Sequence, residues 1–99
     1  MAIAFESMQY LGVQMEQVIK VPDIQPERGL QFEWEDGFEI SLSATSAEVV
    51  LRANRAGLVS LARHLLTLAQ EGVSSGAHVH LTADQEIESN MDLILELMT

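Results

Sequence analysis

The segment Asn54 to Gly72, NRAGLVSLARHLLTLAQEG, constrains the fold more than any other part of the chain. Leu58, Leu61, Ala62, Leu65, Leu68 and Ala69 recur at three- and four-residue spacing, which predicts an amphipathic helix with that stripe turned toward a core. Ser60, Arg63, His64, Thr67 and Glu71 fall away from the stripe. Asn54 stands where a helix N-cap belongs, because its side-chain oxygen can accept from a first-turn N–H group that has no helical partner. Gly72 and the following Val-Ser-Ser-Gly stop the helix. Burying a leucine stabilises by roughly 1.5 to 3 kcal/mol, so several on one stripe predict the main core. Gly57, in the first turn, suits close packing or a tight helix start better than a phosphate cradle, since no glycine-rich loop precedes it.

Around this helix the pattern changes to a period of two. Leu30, Phe32 and Trp34 alternate with polar residues, as do Phe38, Ile40 and Leu42 after Asp36-Gly37. A two-residue Asp-Gly turn would put these apolar sets on opposite faces. A three-residue loop of Glu35, Asp36 and Gly37, with the glycine left-handed, instead pairs Trp34 with Phe38, Phe32 with Ile40 and Leu30 with Leu42. A short connection at Ala44 to Ala47 then sets Leu42 opposite Val49 and Ile40 opposite Leu51. On the other face Glu33 meets Glu39, and Arg52 relieves that repulsion. After the helix, His78 to Thr82 reads as a strand with Val79 and Leu81 on one side and His78 and His80 on the other. Ala83 to Asn90 reads as an acidic loop, and Met91 to Met98 as a last strand with both faces partly covered. Pro22 and Pro26 make VPDIQPERG a connector. Residues 1–20 fit both an extended and a helical pattern, and are read as an extended segment followed by a short helix or irregular stretch. The expected architecture is a single α+β domain over residues 1–99. It holds an antiparallel sheet of about five strands with one main helix on one face, in the order β-β-β-α-β-β.

With 99 residues there is room for one core. The absence of cysteine rules out a disulfide framework and thiolate metal sites, so burial alone must hold that core. A net charge of −10 repels phosphate backbones and anionic membranes, which argues against direct nucleic-acid or membrane binding. It suits either plain solubility or a basic partner. No window is long and apolar enough to span a bilayer, and the N-terminus lacks the basic start and apolar run of a signal peptide. Both point to a cytoplasmic protein.

Candidate chemistry is sparse. His78 and His80, at i and i+2 on a strand, share a side and have Asp84 and Glu86 nearby in sequence, but no third ligand of convincing spacing accompanies them. The simpler reading is a pair of locally hydrogen-bonded surface histidines, with no metal. Ser60, Ser74 and Ser75 are not set in a nucleophile elbow, and nucleophilic catalysis needs an oriented base within reach. Some carboxylate pairs arise by chance among fifteen acids. The chain is therefore read as a non-enzyme that uses no cofactor. Trp34 is a core anchor at the hairpin end in preference to an interface residue.

The run ANRAGLVSLARHLLTLAQEGVSSGAHVHLT, followed by IESNMDLILEL, resembles the immunity protein 32 family of bacterial polymorphic toxin systems. Asn54 and Gly57, the helix through Leu68-Ala69-Gln70, the Gly-x-His-x-His-Leu of Gly76 to Leu81 and the acid-flanked strand Asp92 to Glu96 carry the resemblance. The FEWEDGFEIS hairpin carries it more loosely. Thr82 and Leu97 depart from the aspartate and basic residue frequent at those places. The resemblance implies an α+β cytoplasmic protein that binds and neutralises a cognate toxin domain without catalysis. Glu33, Glu35, Asp36 and Glu39 are the expected contacts to a basic toxin surface. The alternative is a self-associating structural or assembly module, a homodimer built through a sheet edge or through exposed apolar residues of the last strand.

Overall fold

The computed structural model describes residues 14–98. In chain order these form β1 (Ile40–Ala44), β2 (Val49–Ala53), α1 (Arg55–Ala69), β3 (His78–Leu81) and β4 (Leu93–Glu96). The class is α+β, but the expected five-stranded sheet is not formed. There are two separate antiparallel pairs, β1 with β2 and β3 with β4, so the order is β-β-α-β-β.

The expected first strand, Leu30 to Trp34, is not a strand and joins no ladder. Its place beside β1 is occupied. The Leu42 N–H donates to the Glu88 carbonyl at 3.1 Å, and the Glu88 N–H donates to the Ile40 carbonyl at 2.8 Å. This parallel bridge between Ser41 and Glu88 is a hydrogen-bonded link between the β1–β2 hairpin and the chain leading into β4. Leu30 to Trp34 instead lies along α1 as one arm of a strap. Residues 20–24 run toward the C-terminal end of α1, a turn closes where the Gly29 N–H donates to the Gln25 carbonyl at 2.7 Å, and residues 30–35 return. The turn after Trp34 does have the expected left-handed glycine, with Gly37 at φ 76°. Trp34 and Phe38 stack there with ring centroids 4.3 Å apart, but as a local contact rather than a ladder pair.

The β1–β2 register differs from expectation by two residues. Leu42 pairs with Leu51, Ile40 with Ala53 and Arg52 with Ser41, because the connection turns later, at Thr45 to Glu48. Parity is unchanged, so the faces survive the shift. Thr45 holds the turn, its hydroxyl accepting from the N–H groups of Ala47 and Glu48, each at 3.2 Å.

Helix α1 presents a different face from the one its leucines suggest. Gly57, Ser60, Leu61, His64, Thr67 and Leu68 are buried, while Leu58 and Leu65 are 54% and 53% exposed. Burial of the polar members is affordable because two of them are satisfied inside the helix. Ser60 donates to the Ala56 carbonyl at 2.8 Å and Thr67 to the Arg63 carbonyl at 2.7 Å. The core joins Leu61 and Leu68 to Ile40, Leu42, Val79, Leu81 and Ile87, with Leu30, Phe32, Trp34, Phe38, Leu93 and Leu95 packed around them. In β4 only Leu93 and Leu95 turn toward this core; Ile94 is exposed opposite His80, so the strand is one-sided rather than covered on both faces. The expectation for residues 1–13 lies outside the described residues, and residues 14–20 form neither helix nor strand.

Asn54 fixes the helix start. Its Oδ1 accepts from the Gly57 N–H at 2.8 Å and from the Glu39 N–H at 3.0 Å, its Nδ2 donates to the Gly37 carbonyl at 2.9 Å, and its own N–H donates to the Glu39 carbonyl at 3.0 Å. A Cβ on Gly57 would stand 2.6 Å from that same Glu39 carbonyl and 3.0 Å from Ile40 Cγ1. Gly57→Ala should therefore destabilise the fold by about 1–3 kcal/mol in urea unfolding, although alanine is the better helix former. Asn54→Ala should cost at least the ~1–2 kcal/mol of a lost cap, since it also frees the Gly37–Glu39 turn.

Candidate interaction surface

The strap positions the acidic residues. Arg63 ties its two arms together, with Nε donating to the Lys20 carbonyl at 3.0 Å and a terminal guanidinium nitrogen 3.0 Å from Glu35 Oε2. Gln70 holds the far end, donating to the Pro22 carbonyl at 3.1 Å and accepting from the Ile24 N–H at 3.0 Å. Ser60 accepts from the Glu35 N–H at 2.9 Å. Between the strap and the helix lies His64, fully buried, with the Trp34 ring edge-on at 4.3 Å and the Phe32 ring edge-on at 5.4 Å.

This arrangement separates the four expected contact residues. Glu33, Glu35, Asp36 and Glu39 are all exposed around one turn. Glu35, however, is engaged with Arg63, and that ion pair anchors the strap. Glu33, Asp36 and Glu39 have no ion pair among the described residues. The expected Glu39–Arg52 juxtaposition is replaced by Ser41–Arg52.

Glu39 also lines a shallow groove of about 820 Å³. Its other walls are Ser41, Arg52 and Asn54 from the hairpin, and Asp84 to Glu88 from the loop between β3 and β4. The Ser41–Glu88 bridge brings that loop there. The loop is internally braced. Glu86 accepts from the Thr82 N–H at 2.7 Å, the Asp84 N–H donates to the Ile87 carbonyl at 2.9 Å, and Asp84 has φ 62°. Sequence reasoning recognised the loop as acidic but did not place it beside Glu39. The only available signal was Ile87, a lone apolar residue among acids, which is buried and anchors the loop.

The histidine pair does not form a cluster. His78 and His80 are exposed on β3, but His80 Nε2 is 2.7 Å from Asp92 Oδ2, while His78 Nδ1 is 3.1 Å from the Gly76 carbonyl. Asp92 also accepts from the Ala83 N–H at 2.8 Å. That bond first, and the His80 contact second, hold the Asp92 carboxyl below its ordinary pKa. Among the described residues no three His, Asp or Glu side chains converge to hold a metal ion, and no helix is long and apolar enough to cross a membrane.

The structure thus presents a small α+β scaffold with an acidic turn carried on a strap, beside a groove also lined by acids. The chain belongs to the immunity protein 32 family, which matches residues 48–98. That match takes in β2, α1, β3 and β4 and ends short of the strap. No curated protein and no solved structure matches the chain.

His64, packed against the strap's rings, is expected to make the fold's stability depend on pH. Both ring nitrogens are buried without a hydrogen-bond partner. Burial first, and the neighbouring Arg63 charge second, lower its pKa from 6.5. The neutral form is thus favoured in the native state, while the unfolded chain takes up the proton at its ordinary pKa. This contribution to stability is fully present above about pH 6.5 and is lost as pH falls toward the lower folded value. The urea midpoint should fall between pH 7.5 and 5.5, and His64→Phe should flatten that slope. Asp92 does not confound this window, because a carboxylate with a lowered pKa loses its contribution only at lower pH.

Proposed function

We propose that this protein binds and neutralises a cognate bacterial toxin domain by stoichiometric contact, without catalysis, in the cytoplasm of the cell that makes both. Membership of the immunity protein 32 family carries the reading. The chemistry of the surface is compatible with it. The net charge of −10 favours encounter with a basic partner, and the acids of the turn project from a strap that is clamped at both arms.

Contact to a basic toxin surface is assigned to Glu33, Glu35, Asp36 and Glu39. Glu33, Asp36 and Glu39 supply the free carboxylates, and Glu35 contributes mainly by holding the turn in place through Arg63. A preset turn loses less entropy on binding than a mobile one, so anchoring raises affinity without adding a contact.

The test is titration against the toxin domain encoded beside this chain. Wild type should form a 1:1 complex and abolish toxin activity. The triple variant Glu33→Gln, Asp36→Asn, Glu39→Gln should slow association at low salt by about tenfold or more and reduce its salt dependence. Unchanged rates and salt dependence would remove the turn from the interface. Absence of any complex with the neighbouring toxin would remove the function itself.

A further inference from the structure

Among the described residues, strand β2 is an open edge. Its only strand neighbour among the described residues is β1, yet it is rich in apolar side chains, with Val49, Val50 and Leu51 exposed by 67%, 38% and 37%. Long apolar edges invite pairing with another strand. The direction of its free hydrogen-bonding groups follows from β1. Ile40 and Leu42 direct theirs to Glu88, away from β2, so Ile40–Ala53 and Leu42–Leu51 are the non-hydrogen-bonded pairs of the hairpin. Val50 and Arg52 therefore face β1 with their backbone groups, and Val49 and Leu51 present theirs outward.

The sequence along that edge, Glu48-Val49-Val50-Leu51-Arg52, is complementary to itself when reversed. We infer that β2 pairs antiparallel with β2 of a second copy of this chain, about a twofold axis at Val50. In that register Val49 and Leu51 exchange backbone hydrogen bonds with Leu51 and Val49 of the other copy. Val50 meets itself in a close, non-hydrogen-bonded pair. Glu48 lies directly opposite Arg52, twice per dimer.

Neither charged group has an ion-pair partner among the described residues of a single chain. Centring the axis one residue later, on Leu51, would instead set Arg52 opposite Val50 and Glu48 opposite Asn54. Charge thus selects the register. In one chain Arg52 is an edge charge that discourages indiscriminate pairing, and the same residue becomes an ion-pair partner for a correctly aligned copy. The product is a four-stranded sheet, β1-β2-β2-β1, in place of a two-stranded hairpin, which is the less stable unit in water. The proposal is independent of toxin binding and uses none of the acids of the turn.

Sedimentation equilibrium of the full chain tests it. Wild type should give twice the 10.9 kDa chain mass. Arg52→Glu and Glu48→Arg should each shift the mass to that of a monomer, and the combined Glu48→Arg/Arg52→Glu chain should return it to a dimer. Because the chain has no cysteine, Val50→Cys supplies a second measurement. The two Cα atoms at the axis would be about 4.5 Å apart, so mild oxidation should give a covalent dimer. Ser43→Cys, the partner of Val50 within the same hairpin, should not cross-link. A wild-type monomer at every concentration overturns the proposal, whether the edge is covered from within the chain or reserved for a toxin strand. So does a dimer unaffected by either charge reversal, or one that Val50→Cys fails to trap.

Discussion

The structure depends on the junction at Asn54. One side chain satisfies the helix N-terminus through Gly57, the turn through Gly37 and the entry to β1 through Glu39, while its backbone N–H closes on Glu39 as well. These bonds fix where α1 leaves the hairpin, and the missing side chain at Gly57 lets it leave at contact distance from the backbone. Everything the helix carries is placed by that start. Ser60, Arg63 and Gln70, at three- and seven-residue steps, bond the strap, and His64 and Thr67 between them are buried.

The helix and its cap were legible in the sequence because they rest on a local rule, an asparagine before a periodic run; the end expected at Gly72 comes earlier, at Ala69, with Gln70 already extended. The alternation in β3 was legible for the same reason. The face of the helix was not. Counting leucines placed the stripe through Leu58 and Leu65, whereas burial runs through Ser60, His64 and Thr67. Polarity misleads here because a hydroxyl that bonds the carbonyl four residues back carries little of the cost expected of a buried polar group. His64 remains a true exception, with two unpartnered nitrogens among aromatic rings.

The missing fifth strand has a different cause. Leu30 to Trp34 has the pattern of a strand because Leu30, Phe32 and Trp34 pack against the core from a segment that is itself no strand. Period two reports one covered face and not a ladder partner. Which segment takes the open edge of β1 is settled by Glu88, about fifty residues downstream in sequence terms that no local pattern encodes. The same long-range bridge brings Asp84, Glu86 and Glu88 to the groove that Glu39 lines, a proximity that no local pattern in the sequence encodes.

The family match divides the molecule into two parts. The family match begins at Glu48 and so contains the helix but not the strap or the acidic turn. Yet Ser60, Arg63 and Gln70, all within the match, bond the strap, and His64 packs against its rings. Polar side chains that would be surplus on a helix facing only its own sheet are thus accounted for by a segment outside the matched region. An acidic turn held by such contacts can change its charges without disturbing the core, provided Glu35 keeps its hold on Arg63. The matched scaffold and the acidic turn are in this way separable, and the ion pair between Glu35 and Arg63 is where they join.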